Sequence, residues 1–121
     1  MSELALIIED DEDLADIFAE ALRGVGFDVA HVADGKAAQE RIRNEPQPYL
    51  VLLDMHLPHI SGAELLVEMK GDERFANTTI IITTADARMG ETYRDQADFV
   101  LIKPISFVQL RDLTARLKPK P

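Results

Sequence analysis

The sequence predicts an α/β protein in which five successive βα units, written (βα)5, build a doubly wound sheet of five parallel strands. Short apolar runs alternate five times with stretches of helical periodicity along the 121 residues. Most of these runs show no polar alternation, which is typical of strands buried on both faces. Since crossovers between parallel strands are right-handed, helices are expected on both faces of the sheet.

The first βα unit is predicted to consist of a buried strand at residues 4–8 and a strongly amphipathic helix. Asp11 is placed to cap the start of this helix. Its apolar residues recur at i, i+3, i+4, i+7, i+8 and i+11, which marks one helix face. The members of this face are Leu14, Ile17, Phe18, Ala21, Leu22 and Val25. Residues 29–32 predict a weaker strand, and residues 36–44 a second helix that stops at a proline-rich turn.

Three further units follow along the chain. The predicted strands are 49–53, 79–83 and 99–102, and the predicted helices are 62–70, 88–96 and 107–117. Residues 79–83 carry the strongest strand signal because they are apolar and β-branched, whereas Gly90 weakens the helix around it. Ser106 can cap the last helix, whose inward face is predicted to hold Phe107, Leu110, Leu113 and Leu117.

The composition is that of a globular domain suited to cations or basic partners. Lys and Arg number 13 and Asp and Glu number 22, so the net charge is 13 − 22 = −9. Because nucleic-acid binding rests on neutralising phosphates with basic side chains, this domain alone is a poor candidate for it. The absence of Cys excludes disulfides and thiolate metal sites. No signal peptide or membrane span is visible, so the cytoplasm is the expected location.

Two acidic side chains directly follow the first strand. In doubly wound sheets, ligands bind beyond the carboxyl ends of the strands, which is where Glu9 and Asp10 are expected. Carboxylates a few Å apart repel by roughly 4 kcal/mol at an effective dielectric constant of about 20. A cation removes this repulsion, and oxygen ligands without His or Cys suit Mg²⁺ or Mn²⁺. The acids at 11–13 are expected instead to form an acidic helix N-terminus.

Three more reactive side chains are expected at the same edge of the sheet. Asp54 ends the third strand, Thr84 ends the fourth and Lys103 follows the fifth. An acyl phosphate on a carboxylate needs a metal ion to offset charge, a hydroxyl to bond a phosphoryl oxygen and a cation opposite. Asp10, Thr84 and Lys103 match these needs, which makes Asp54 the candidate acceptor.

These strand ends lie in longer segments that carry a family resemblance. The segments are Leu6-Ile7-Ile8-Glu9-Asp10-Asp11, Leu52-Leu53-Asp54-Met55-His56-Leu57-Pro58-His59-Ile60-Ser61-Gly62, Thr84-Ala85 and Lys103-Pro104. In this order they resemble the receiver domains of response regulators in two-component signalling, over nearly the whole chain. The resemblance implies a flavodoxin-like fold with strand order 2-1-3-4-5. It also implies a receiver domain over residues 1–117, followed by a tail or the start of a linker at 118–121.

The resemblance further implies a magnesium site, in which Mn²⁺ is a second suitable cation. Asp10 and Asp54 are implied as direct ligands, whereas Glu9 acts mostly through water. The backbone carbonyl of His56, two residues past Asp54, is the remaining implied protein ligand.

By the same resemblance, Asp54 takes its phosphoryl group from a sensor histidine kinase or a histidine phosphotransfer protein. Thr84 is the implied switch hydroxyl, Lys103 pairs with the phosphoryl group, and the bond from Lys103 to Pro104 is expected to be cis. No catalysis beyond self-catalysed phosphoryl transfer and autodephosphorylation is implied, so the domain is not expected to be an enzyme. Output is expected from the fourth helix, fifth strand and fifth helix, a surface that often forms homodimers in this family.

Two features depart from the family pattern. Thr84 and Lys103 lie 103 − 84 = 19 residues apart, a few fewer than is typical, so the fourth helix is expected to be short or distorted. Val100 occupies the position three residues before Lys103 where the family has its switch aromatic. This departure bears on hydroxyl-to-aromatic coupling and not on phosphorylation. His31 and His59 are expected to be surface residues.

Two other functions fit parts of the pattern. A degenerate receiver would act only as a protein-binding module, although the acid pair, Asp54, Thr84 and Lys103 are all present. A magnesium-dependent phosphatase of the haloacid-dehalogenase type needs a second Asp two residues after its nucleophile, where this chain has His56. Acyl-phosphate formation distinguishes all three.

Overall fold

The computed structural model describes residues 3–119 and contains the five predicted strands. They are β1 (Leu4–Ile8), β2 (Asp28–Val32), β3 (Leu50–Asp54), β4 (Thr79–Thr84) and β5 (Phe99–Ile102). All pairings are parallel, in the order β2-β1-β3-β4-β5. The doubly wound architecture and the implied strand order are therefore confirmed, and each strand boundary agrees with its prediction to within one residue.

Five α-helices connect and follow the strands. They are α1 (Glu12–Gly24), α2 (Gly35–Asn44), α3 (Gly62–Lys70), α4 (Ala87–Tyr93) and α5 (Phe107–Leu117). The predicted caps are present, because Asp11 accepts a hydrogen bond from the Leu14 N–H and Ser106 from the Gln109 N–H, each at 3.0 Å. Within residues 3–119, no helix is long and apolar enough to cross a membrane.

The last residues belong partly to the fold. The Lys118 N–H caps the end of α5 by donating to the Thr114 carbonyl at 3.1 Å. The prediction of a tail or linker also covers residues 120 and 121, which lie outside the described residues. It stays a prediction.

Apolar side chains fill both faces of the sheet, as the uninterrupted apolar runs predict. Ile7 packs in the core beneath α1 and α5, whereas Ile8 packs in the opposite core beneath α2 and α3. Both side chains are fully buried. Because helices cover both faces, the loops at the carboxyl ends of the strands are left to form a functional site.

Two predicted core positions are wrong. Ile17 is 43% exposed and Phe107 is 37% exposed. At about 100° per residue, Ile17 lies at the margin of the α1 stripe, beyond the contact with the sheet. The buried face of α5 is centred on Leu110 and Thr114, and the Thr114 hydroxyl is satisfied by donating to the Leu110 carbonyl at 2.8 Å. Phe107 lies on the same face as these residues but in the first turn of α5, where it stays partly exposed.

The fourth helix is short, as its spacing predicts. It spans seven residues and passes into a 3₁₀ turn at Arg94–Gln96. Gly90 is buried there, and a Cβ on it would lie 2.9 Å from Val100 Cγ1 and 3.0 Å from Ile102 Cδ1. Gly90 thus permits α4 to approach β5 closely, which explains a glycine in the interior of a helix.

The loop between β3 and α3 is held by two glycines where backbone segments approach closely. The Gly35 N–H donates to the Pro58 carbonyl at 3.0 Å, which joins the start of α2 to this loop. A Cβ on Gly35 would overlap the backbone of Ile60, and a Cβ on Gly62 would overlap the carbonyl of Asp54. His59 has a φ of 71°, a left-handed conformation that reverses the chain between these contacts. The loop position is therefore set by backbone contacts.

Candidate functional site

Three carboxylates converge at the carboxyl edge of the sheet. Glu9 follows β1, Asp54 ends β3, and Asp10 begins the turn into α1. One carboxylate oxygen of each residue lies within 4.8 Å of the others. Glu9 and Asp54 are 1% and 2% exposed, whereas Asp10 faces solvent. The structure thus brings together the acids that the sequence singles out, two of them in the interior.

Lys103 lies against the two buried carboxylates. Its Nζ is 2.8 Å from Glu9 Oε1 and 3.5 Å from Asp54 Oδ2. Its backbone N–H donates to the Thr84 carbonyl at 2.8 Å, which fixes the start of the loop after β5. The Lys103–Pro104 peptide is cis, as the family resemblance implies. One ammonium therefore faces three converging acids, which leaves the cluster with excess negative charge when all are ionised.

The Asp54 carboxylate is held from two sides. Its Oδ1 accepts a hydrogen bond from the His56 N–H at 3.1 Å, and its Oδ2 faces Lys103. The backbone of Asp54 pairs with Thr83 of β4, so the Cα position is fixed by the sheet. The His56 side chain is exposed and lies outside these contacts. Asp54 is thus a preorganised carboxylate at a strand end.

Burial raises the pKa values of both interior acids. Burial is the main cause for Glu9, and it raises the pKa from 4.5 to about 7 although the Lys103 hydrogen bond lowers it. Burial also raises the pKa of Asp54, against the lowering effects of the His56 N–H and Lys103. For Lys103 burial lowers the pKa, but Glu9 and Asp54 raise it further, so the ammonium stays charged. With a pKa of about 7, Glu9 is partly protonated at neutral pH, which reduces the negative charge of the cluster.

These pKa shifts give an expected pH dependence of stability in metal-free protein. Glu9 binds its proton more tightly when folded, so its contribution is fully present below pH 4.5 and is lost as the pH rises to about 7. The loss is about 3 kcal/mol, and Asp54 adds to it in the same direction. Urea unfolding in a chelator, compared between the wild type and Glu9→Gln, measures it. A difference between the two proteins that stays constant over this range would contradict the assignment.

Thr84 connects the site to α4. It is fully buried, and its Oγ1 accepts a hydrogen bond from the Asp86 N–H at 3.0 Å. Asp86 in turn caps α4 by accepting from the Arg88 and Met89 N–H groups. The methyl group of Thr84 faces Gly90, where a Cβ would lie 3.5 Å away. Thr84 therefore contacts both the start and the middle of α4.

His31 is exposed, as predicted, but its ring also contacts the backbone of Glu9, which the sequence does not predict. Its Nε2 lies 2.7 Å from the backbone carbonyl of Glu9, and Nε2 must be the donor because a carbonyl only accepts. The parallel register pairs His31 with Ile7, which places β2 beside the chain as it leaves β1. The sequence feature that could have indicated this contact is a polar residue near the end of β2. His59 is exposed, as predicted.

The donor set fits a hard divalent cation. All three converging side chains offer carboxylate oxygens, and no His or Cys takes part in the cluster that residues 3–119 form. Oxygen-only ligands of this kind suit Mg²⁺. Burial raises the pKa values of Glu9 and Asp54 although Lys103 lowers both, so the interior acids would gain from further positive charge. A divalent ion would supply it.

Comparison with known proteins gives a consistent result. Residues 5–115 match the family model described as response regulator receiver domain. The DNA-binding response regulator MtrA of Mycolicibacterium paratuberculosis is 32% identical over 99% of this chain, and the polar-differentiation response regulator DivK of Brucella ovis is 30% identical over 88% of each chain. This chain spans about half of MtrA, 52% of its length.

A solved receiver domain with a bound metal ion is also similar to this chain. The receiver domain of the sensor histidine kinase PA1611 from Pseudomonas aeruginosa superposes with a TM-score of 0.83 at 25% identity. The alignment covers 97% of this chain and 98% of that one. That structure has a magnesium ion coordinated in its active-site cleft.

Proposed function

This chain belongs to the response regulator receiver domain family, and from that membership we propose that it accepts a phosphoryl group on Asp54 in a magnesium-dependent reaction. Receiver domains work with sensor histidine kinases or histidine phosphotransfer proteins, and such a protein is the proposed donor. The family is generally not one of conventional enzymes. The proposed activity is limited to self-catalysed transfer onto Asp54 and later hydrolysis of the acyl phosphate.

One observation carries the proposal. The Asp54 carboxylate ends a central strand, is 2% exposed, and has Lys103 Nζ 3.5 Å from its Oδ2 with Glu9 and Asp10 in the same cluster. A structural salt bridge does not require three acids around one ammonium, because the surplus charge is costly in the interior. A site that must receive a cation and a phosphoryl group accounts for this surplus.

The proposed transfer forms one bond to phosphorus and breaks another. An oxygen of Asp54 attacks the phosphorus of the donor, the P–N bond of a phosphohistidine or the P–O bond of an acyl phosphate breaks, and the electron pair leaves with the donor. The Lys103 ammonium offsets the added negative charge, and the buried Thr84 hydroxyl can donate to a phosphoryl oxygen. The His56 N–H, 3.1 Å from Asp54 Oδ1, keeps the carboxylate oriented.

Asp10 and Asp54 would hold a magnesium ion directly, with Glu9 acting through water and the His56 carbonyl as a further ligand. When bound, the ion offsets the charge of the phosphoryl oxygens and of the carboxylates. The three converging acids support this assignment. The Lys103–Glu9 contact at 2.8 Å fits a Glu9 that binds through water, because its Oε1 is already paired.

The alternative of a degenerate, binding-only receiver has no support from the site. Such a domain would be free to lose the acid pair, the acceptor, the hydroxyl or the ammonium, and this chain retains them all. The phosphatase reading is also disfavoured, because His56 stands where that mechanism needs an acid and its side chain points to solvent.

The proposed output surface is formed by α4, β5 and α5. Thr84 contacts α4 through Asp86 and Gly90, and Gly90 lies against Val100 and Ile102 of β5. Movement of Thr84 towards a phosphoryl group would therefore act first on α4, without a switch aromatic. Phe99 and Ile102 of β5 are partly exposed and make this face the proposed contact with a second copy.

Incubation with acetyl phosphate and Mg²⁺, followed by intact mass measurement, tests the function. The wild type is expected to gain the mass of one phosphoryl group, and Asp54→Asn to gain none. Asp16→Asn is the matched control, since Asp16 is an exposed acid of α1 outside the cluster and this variant should still be modified. An equal gain in Asp54→Asn would overturn the assignment of the acceptor. No gain in the wild type with Mg²⁺ bound would favour the binding-only receiver.

A further inference from the structure

The backbone of Glu9 is held by β2 through both peptides that flank the residue. The Glu9 N–H donates to the Val32 carbonyl at 3.2 Å, and the His31 Nε2 donates to the Glu9 carbonyl at 2.7 Å. The first contact continues the sheet ladder by one residue. The second comes from a side chain, so the backbone pairing of the strands does not supply it.

The contact with His31 acts on the residue after Glu9. The Glu9 carbonyl belongs to the planar peptide that also contains the Asp10 N–H, so the direction of one fixes the direction of the other. Asp11 fixes the chain at the next residue, because its side chain caps α1 and its backbone N–H donates a hydrogen bond to Glu9 Oε2 at 3.2 Å. Asp10, which faces solvent, lies between these two anchors.

From this geometry we infer that His31 is a positioning residue for the cation site: its imidazole orients the Glu9–Asp10 peptide and thereby aims the Asp10 carboxylate at the cluster. The inference rests on the proposed function, because it assigns His31 a part in magnesium binding. His31 does not touch the cluster itself. Its effect is therefore expected on magnesium affinity and not on the transfer step once the ion is bound.

The substitutions of His31 are chosen by the length of the side chain and by its ability to donate a hydrogen bond. The Gln amide nitrogen lies about as far from Cα as the His Nε2 and can donate to the same carbonyl, whereas Asn is shorter by one methylene and Ala has no donor. His31→Gln should therefore preserve the contact, and His31→Asn and His31→Ala should lose it. Tyr49→Phe is the matched control. It removes a side-chain bond of 2.8 Å to the Leu117 carbonyl, outside the acidic cluster.

Amide NMR spectra recorded during a Mg²⁺ titration test the inference in one experiment. In metal-free protein the Asp10 amide is expected to shift in His31→Ala and His31→Asn and to stay near its wild-type position in His31→Gln. The magnesium Kd should rise about fivefold in the first two variants, and remain at the wild-type value in His31→Gln and Tyr49→Phe. At saturating Mg²⁺, His31→Ala should be phosphorylated by acetyl phosphate at the wild-type rate.

An unchanged Kd in His31→Ala would overturn the inference, as would an equal rise in Tyr49→Phe, which would indicate general destabilisation. The proposed function can fail separately. If the wild type bound no Mg²⁺, that function would be lost, but the metal-free spectra would still decide the contact. If the Asp10 amide resonance of metal-free His31→Ala lay at its wild-type position, His31 would not be a positioning residue. A resonance that moves in His31→Ala and returns to its wild-type position in His31→Gln would support that role.

Discussion

Replacing Gly35 with alanine is expected to lower the free energy of unfolding by about 3 kcal/mol or more. A Cβ at this position would overlap the carbonyl oxygen, carbonyl carbon and Cα of Ile60. These are backbone atoms, so no side-chain rotation relieves the clash, and the loop between β3 and α3 must move. That loop follows Asp54, so phosphorylation by acetyl phosphate should also slow. Urea unfolding and the rate of mass gain measure the two effects.

Gly24→Ala is the control for this substitution. Gly24 lies in the last turn of α1 and a Cβ there would meet no atom within 4 Å. Because alanine favours the helix over glycine by up to about 1 kcal/mol, stability should stay the same or rise slightly. If Gly35→Ala and Gly24→Ala had similar stabilities, the close approach of α2 to the β3–α3 loop would be wrong.

Magnesium should stabilise the wild type by about 2.7 kcal/mol at a concentration 100 times its Kd, because only the folded chain assembles the cluster. Asp10→Asn should lose most of this gain, since it removes a charged oxygen from the three converging acids. Asp10 faces solvent, so the substitution should leave the metal-free fold intact. The rise of the Tm with Mg²⁺ concentration is the measurement.

Asp16→Asn provides the matched control for Asp10→Asn. Asp16 is an exposed acid on α1 outside the cluster, so it carries the same change of charge without a proposed ligand role. Its response to Mg²⁺ should equal that of the wild type. Equal stabilisation of Asp10→Asn and the wild type would place the ion elsewhere on this acidic chain.

The sheet and the acidic cluster could be predicted because each depends on a local signal. Apolar runs on parallel strands specify burial on both faces, and residues that follow such strands must meet at one edge. The carboxylates of Asp54, Glu9 and Asp10 lie together at this edge for that reason. The pairing of Lys103 with Glu9 at 2.8 Å depends on side-chain reach across the sheet, which spacing along the chain does not define.

The features that were missed depend on contacts between distant segments. Ile17 belongs to the apolar stripe of α1, but it stays exposed because the contact between α1 and the sheet is narrower than this stripe. Gly90 weakens a helix by propensity, yet it is explained by the nearby side chains of Val100 and Ile102. His31 is a surface residue, as predicted, but its contact with the Glu9 carbonyl follows only from the register of β2 against β1. Such partners are unknown before the chain is folded.

The central claim is that Asp54, and no other acid of the cluster, carries the phosphoryl group. The most direct test is to treat the wild type with acetyl phosphate and Mg²⁺, reduce the acyl phosphate with borohydride, and locate the resulting homoserine by peptide mass spectrometry. Homoserine is expected at position 54 alone, because only this carboxylate is held by the His56 N–H and faces Lys103. Homoserine at position 10, or the 5-hydroxynorvaline that reduction of a glutamyl phosphate gives at position 9, with aspartate retained at 54, would contradict the account.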